Sequence, residues 1–140
     1  MKQLSTYLIL LSLLIWNARA QKIELLKEVV PSEKFMVQLE AMDSDASPFI
    51  ITQPEFMRRM KEMQATGGGG GMFGMGNMPE MYNLVVNTNH ELVNDILNTK
   101  TKKKQERLIN QSLDLARLSQ GLLKGKELTD FIKRSYDMIK

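Results

Sequence analysis

The stretch QERLINQSLDLARLSQGLLKGKELTDFIKRSYDMIK, residues 105–140, decides the fold. Leu108, Leu115 and Leu122 stand seven apart, flanked by Ile109, Leu113, Ala116 and Leu123, and an apolar face that returns every two turns predicts a helix. Gly121 falls inside that helix and should weaken its last turn, with Gly125 as a natural stop. Beyond it Leu128, Phe131, Ile132, Ser135, Met138 and Ile139 follow the i, i+3, i+4, i+7 spacing of a second amphipathic helix. A short Lys124-Gly125-Lys126 turn makes the two a helical hairpin. Its apolar stripe either packs on the chain's own sheet or meets the same stripe of a second copy in a two-fold four-helix bundle. Burying roughly eight apolar side chains per subunit contributes on the order of 12–24 kcal/mol gross. Association costs about 4–15 kcal/mol, which leaves room for a stable dimer.

Working outward, Lys100-Thr101-Lys102-Lys103-Lys104 reads as a solvated linker, too few basic residues and no interleaved aromatics for nucleic acid. Leu92, Val93, Ile96 and Leu97 predict a helix, opened by a capping box over Thr88-Asn89-His90-Glu91. His90 at that start reads as a structural hydrogen-bonder more readily than as a ligand. Tyr82, Leu84 and Val86 alternate with Asn83, Val85 and Asn87, a period of two that predicts a strand. The same alternation over Phe35, Val37 and Leu39 predicts another. Phe49-Ile50-Ile51 is a third, expected as the hairpin partner of the preceding strand across the turn-rich Asp43–Pro48. Thr52-Gln53-Pro54-Glu55 fits a capping box for a helix with Phe56, Met57, Met60 and Met63 on one face and Arg58, Arg59, Lys61 and Glu62 on the other. Ile23, Leu25, Leu26, Val29 and Val30 suggest a short helix ended by Pro31. The sum is an α+β domain over residues 22–140: a small three-stranded sheet with flanking helices and a C-terminal helical hairpin.

Methionine is over-used. Of the chain's 11, seven fall between Met57 and Met81. Residues 66–78, with the run Gly67–Gly71 followed by Met72, Met75 and Met78, should be a flexible loop, because glycine loses much backbone entropy in any regular element. No Gly-Lys-Ser/Thr follows the run, so it is not a phosphate loop. Thioethers at spacing three admit three readings: core packing, an adaptable partner surface, or a soft copper(I) site in an exported methionine-rich protein.

Residues 1–20 stand apart. A basic Met1-Lys2, the apolar run Leu8–Trp16 and the ending Ala18-Arg19-Ala20 are the parts of a secretory signal peptide. A segment joined to a foreign start reads equally well. The run is shorter than the roughly 20 apolar residues a bilayer span needs, so no stable membrane insertion is expected.

Bulk chemistry removes most enzyme classes. There is no cysteine and a single histidine, which rules out thiolate zinc sites, a cysteine nucleophile and a multi-histidine metal site within one chain. A formal net charge of +3 is too small to argue for nucleic acid.

Phe49-Ile50-Ile51-Thr52, the helix from Pro54 to Met63 with its Arg58-Arg59-Met60 centre, the junction Asn87-Thr88-Asn89-His90 after a strand, Leu92-Val93 and the ending Leu123–Arg134 together resemble the C-terminal dimerisation domain of HtpG-type chaperones. These are the bacterial branch of the ninety-kilodalton heat-shock family. The resemblance covers about residues 31–140. It implies a stress-response chaperone module that pairs with itself through Leu108, Leu115, Leu118, Leu122, Phe131 and Ile132. It also implies contact with unfolded client proteins through Phe56, Met57, Met60 and Met63, which favours the partner-surface reading of those methionines. The family is an ATPase and cytoplasmic. Its ATP-binding and middle domains have no counterpart in this sequence, so no ATP chemistry, cofactor or catalytic residue is expected here. Residues 1–20 have no counterpart in the family either, and leave export as the alternative location.

Overall fold

The computed structural model describes residues 2–66 and 80–140. In chain order the elements are α1 (Lys2–Val29), β1 (Phe35–Glu40), β2 (Phe49–Thr52), α2 (Glu55–Ala65), β3 (Tyr82–Asn87), α3 (Glu91–Asn98), α4 (Lys102–Ser119) and α5 (Gly125–Ile139). The fold is α+β, and its sheet has three strands.

The order within that sheet is β1-β3-β2, which corrects the expected β1–β2 hairpin. β3 runs between them, parallel to β1 with Phe35 opposite Tyr82, and antiparallel to β2 with Phe49 opposite Val86. The reason lies at Asn87, whose side chain is fully buried. Its Nδ2 donates to the carbonyls of Asp43 (2.7 Å) and Ala46 (3.4 Å), and its Oδ1 accepts from the amides of Met42 (3.2 Å) and Asn89 (3.1 Å). The Asp43–Pro48 turn is thereby wrapped around the end of β3 instead of folding β2 back onto β1. Every polar atom of this buried amide is engaged, as burial demands.

One face of the sheet is covered by α1, α3 and α4. Leu26 and Val30 of the α1 end meet Phe35 and Leu39 of β1, Leu84 and Val86 of β3, and Ile109, Leu113 and Ala116 of α4 in a single buried cluster. Each large aliphatic side chain fully buried there contributes about 1.5–3 kcal/mol.

Helix boundaries differ from expectation in four places. The short helix around Ile23 is the end of a continuous helix that begins at Lys2. Pro31 follows it, and the helical bonding closes with the Val30 amide on the Leu26 carbonyl at 2.8 Å. The penultimate helix stops at Ser119, ahead of Gly121, instead of running through it. Gly121 takes φ +66°, its amide bonds the Leu118 carbonyl (3.0 Å) and the Leu122 amide reaches back to Arg117 (2.8 Å), a Schellman closure that needs the left-handed residue. Gly125, expected as a stop, opens α5. Lys102–Lys104 are the first turn of α4 and not a linker; Lys102 pairs with Glu28 at 3.2 Å.

Neither capping box forms as expected. At α3 the cap is His90, whose Nδ1 accepts the Leu92 amide at 3.0 Å, so Thr88 is not needed. At α2 the Glu55 carboxylate turns forward to Arg58 and Arg59 instead of back toward Thr52, which ends β2.

Candidate interaction surfaces

α2 departs from the pattern of the other helices. None of its described side chains is buried, although it carries four large apolar residues. Phe56 and Met63 are 62% and 59% exposed. Met57 and Met60 are half-buried. The helix is supported by its own charges. Glu55 accepts from Arg58 Nε (2.8 Å), Arg58 Nη2 (2.6 Å) and Arg59 Nε (2.9 Å), and Arg58 also bonds Glu62. Pairs three and four residues apart stabilise an isolated helix without tertiary contacts. The Arg58 and Arg59 hydrogen bonds hold the Glu55 carboxyl down at about 2.

Lys61 joins this helix to the start of β3, meeting Glu80 at 2.5 Å. Glu80 also accepts the Tyr82 hydroxyl at 2.8 Å. Partial burial, aided by that carboxylate, pushes the Tyr82 hydroxyl up to about 12.

The α4–α5 hairpin has two faces. Inward, Ile109, Ser112, Leu113 and Ala116 are buried, at the spacing of a core stripe. Elsewhere on the hairpin Leu115, Leu118 and Ile132 are exposed, 42–50% of their surface reaching solvent, as are Tyr136 and Ile139 nearer the terminus. Leu108 and Leu122 lie at the margin, half-buried against the core cluster. Phe131 is buried within the single chain at 7% exposure. Of the six residues expected at a dimer contact, Leu115, Leu118 and Ile132 are each exposed, Leu108 and Leu122 lie beside the core, and Phe131 is buried.

A polar clamp that the sequence reading missed pins α5 to α4. Asp114 accepts from Arg117 Nη1 at 3.0 Å and from Arg134 Nη2 at 2.5 Å. Arg134 Nε donates to Gln111 Oε1 (2.8 Å), Gln111 Nε2 to Ser135 Oγ (2.7 Å), and Ser135 Oγ to the Phe131 carbonyl (2.8 Å). Arg117 also bonds Glu127.

Met72, Met75 and Met78, and nearly all of the loop expected over residues 66–78, lie outside the described residues; Thr66 bonds the Glu62 carbonyl and closes α2. Among the described residues no cluster of three or more His, Cys, Asp or Glu side chains could hold a metal ion, and no helix is long and apolar enough to cross a membrane.

No protein-family profile matches the chain. Curated relatives do. The chaperone protein HtpG of Bacteroides fragilis is 28% identical over 76% of this chain and 25% of its own length. That of Bacteroides thetaiotaomicron is 26% identical with the same coverage. That of Porphyromonas gingivalis is 31% identical over 71% of this chain and 15% of its own length. By sequence the chain is therefore a homologue of molecular chaperones. The chaperone in question is HtpG, and the chain is a partial homologue that spans about a quarter or less of these relatives' length.

Proposed function

We propose that this chain is a chaperone-related module that pairs with a second copy through the outer face of α4–α5 and contacts unfolded proteins through α2. The role is non-catalytic and requires no nucleotide in this chain. The observation that carries it is α2: a helix held together by its own ion pairs, with Phe56 and Met63 exposed and no described side chain in the core. A helix that contributes no buried side chain to the core, and exposes aromatic and thioether surface, suits adaptable binding of apolar segments. The exposed apolar side chains Leu115, Leu118, Ile132, Tyr136 and Ile139 of α4 and α5 support self-association, since a second copy would remove their surface from water.

Two measurements test the two halves separately. Sedimentation at micromolar concentration should find a dimer in the wild type and a monomer in Leu115→Asp/Ile132→Asp; a wild-type monomer would overturn the pairing. Phe56→Ser/Met63→Ser should reduce capture of a reduced, unfolded reporter protein while leaving the dimer intact. Unchanged capture would remove α2 from the proposal.

A further inference from the structure

The amino-terminal part of α1 takes no part in either surface. Every residue from Leu4 to Gln21 is exposed. The large apolar side chains of the run Leu8–Trp16 each leave more than half of their surface in solvent. They are not confined to a stripe. Leu8, Ile9, Leu10 and Leu11 are consecutive, and steps of about 100° carry them around the whole circumference. A helix seated on a protein partner needs one apolar stripe, whereas one apolar all round suits a protein core or lipid. The core of this domain is already filled by the other end of the same helix, through Leu26 and Val30.

Length and flanking chemistry narrow the occupant. Between Lys2 and Arg19 no residue is charged, and the stretch Leu4–Ala18 is about 22 Å long at 1.5 Å per residue. A bilayer's hydrocarbon layer is about 30 Å thick, so this helix can enter but not cross. Shortness excludes spanning; it does not exclude insertion from one side. Tyr7 and Trp16, both about three-quarters exposed, stand near the two ends of the apolar stretch, as aromatic residues do at a membrane interface. Lys2, Arg19 and Lys22 flank it with positive charge, complementary to anionic headgroups. The attachment to the domain is firm. α1 is continuous through Ala18-Arg19-Ala20, and Arg19 Nη2 donates to the Leu39 carbonyl at 2.9 Å.

We infer that residues 4–18 of α1 insert into one side of an anionic lipid bilayer and tether the folded domain to its surface. This stands independently of the chaperone reading. Trp16 is the chain's single tryptophan, so its fluorescence reports on this segment alone. The full chain is mixed with unilamellar vesicles of phosphatidylcholine and phosphatidylglycerol. Its emission should shift to the blue, brominated acyl chains should quench it, and the protein should float with the vesicles. Leu10→Asp/Leu11→Asp should lower the vesicle-bound fraction about tenfold or more. Its thermal midpoint should stay at the wild-type value, because these side chains touch no core residue. Three results would each overturn the inference: no spectral change on adding vesicles, equal flotation of the double variant, or a blue shift that needs only higher protein concentration, which would mean the helix pairs with a second copy.

Discussion

Arg134 of α5 donates to Asp114 of α4 at 2.5 Å, across a hairpin whose turn is closed by Gly121. Asp114 is the hub of the clamp, since it also receives Arg117, and both aspartate and arginines are largely withdrawn from solvent. Replacing Asp114 with Ala leaves two guanidinium groups short of a partner. A cost of about 1–3 kcal/mol is expected, read as a lower urea midpoint, with amide protection in α5 falling more than in β3. Equal loss of protection in both elements would mean that the clamp does not hold α5 specifically.

Asn87 is the corresponding hub at the sheet. Asn87→Leu keeps the branching and heavy-atom count of the side chain and removes both donor and acceptor, stranding the carbonyls of Asp43 and Ala46 and the amide of Met42. Destabilisation of about 2–4 kcal/mol is expected in chemical denaturation. Asn87→Asp should also destabilise, because a carboxylate cannot donate to those two carbonyls. A neutral Asn87→Leu would show that the turn does not depend on this residue.

The Schellman glycine gives a smaller effect. Nothing lies within 4 Å of a Cβ built on Gly121, so substitution costs only the left-handed φ. Gly121→Ala should lose about 1–2 kcal/mol and Gly121→Asn less, since asparagine tolerates that region. Thermal unfolding followed by circular dichroism would rank them, and an Ala variant as stable as wild type would contradict the assigned cap.

The α2 ion pairs predict an acid limit. With Glu55 held at about 2 against an ordinary 4.5, the carboxylate form is favoured in the folded helix. Its contribution is fully present above 4.5 and is lost as pH falls through about 2. Carbon-detected NMR of the Glu55 carboxyl should therefore show a midpoint near 2. Arg58→Ala should move it up toward 4.5, Arg58 being the largest cause. A wild-type midpoint at 4.5 would mean that the pairs do not persist in solution.

What the sequence disclosed follows from the range of each interaction. The faces of α4 and α5 were readable because helical periodicity is local, and so was the alternation that marks Tyr82–Asn87 as a strand. Strand neighbours were not readable: β1 meets β3 across 47 residues, as in Phe35 opposite Tyr82, and no local pattern records such a pairing. The seven-residue leucine spacing marked a helix but not its outward face, since Leu108 and Leu122 sit at the margin while Leu115 is exposed. No local pattern joins Asp114 to Arg134, whose partnership exists only once the hairpin closes. His90 was placed correctly at a helix start, and its acceptor role needed the backbone geometry to see.

Setting β3 in the middle has a consequence for biosynthesis. On a ribosome, β1 and β2 emerge first and have nothing to bond with until Tyr82–Asn87 follows them out. A nascent polypeptide stalled before that point carries two strands with open edges, the condition that invites aggregation between chains. The sheet can close only late in synthesis, and the apolar length of α1 has already left the ribosome by then.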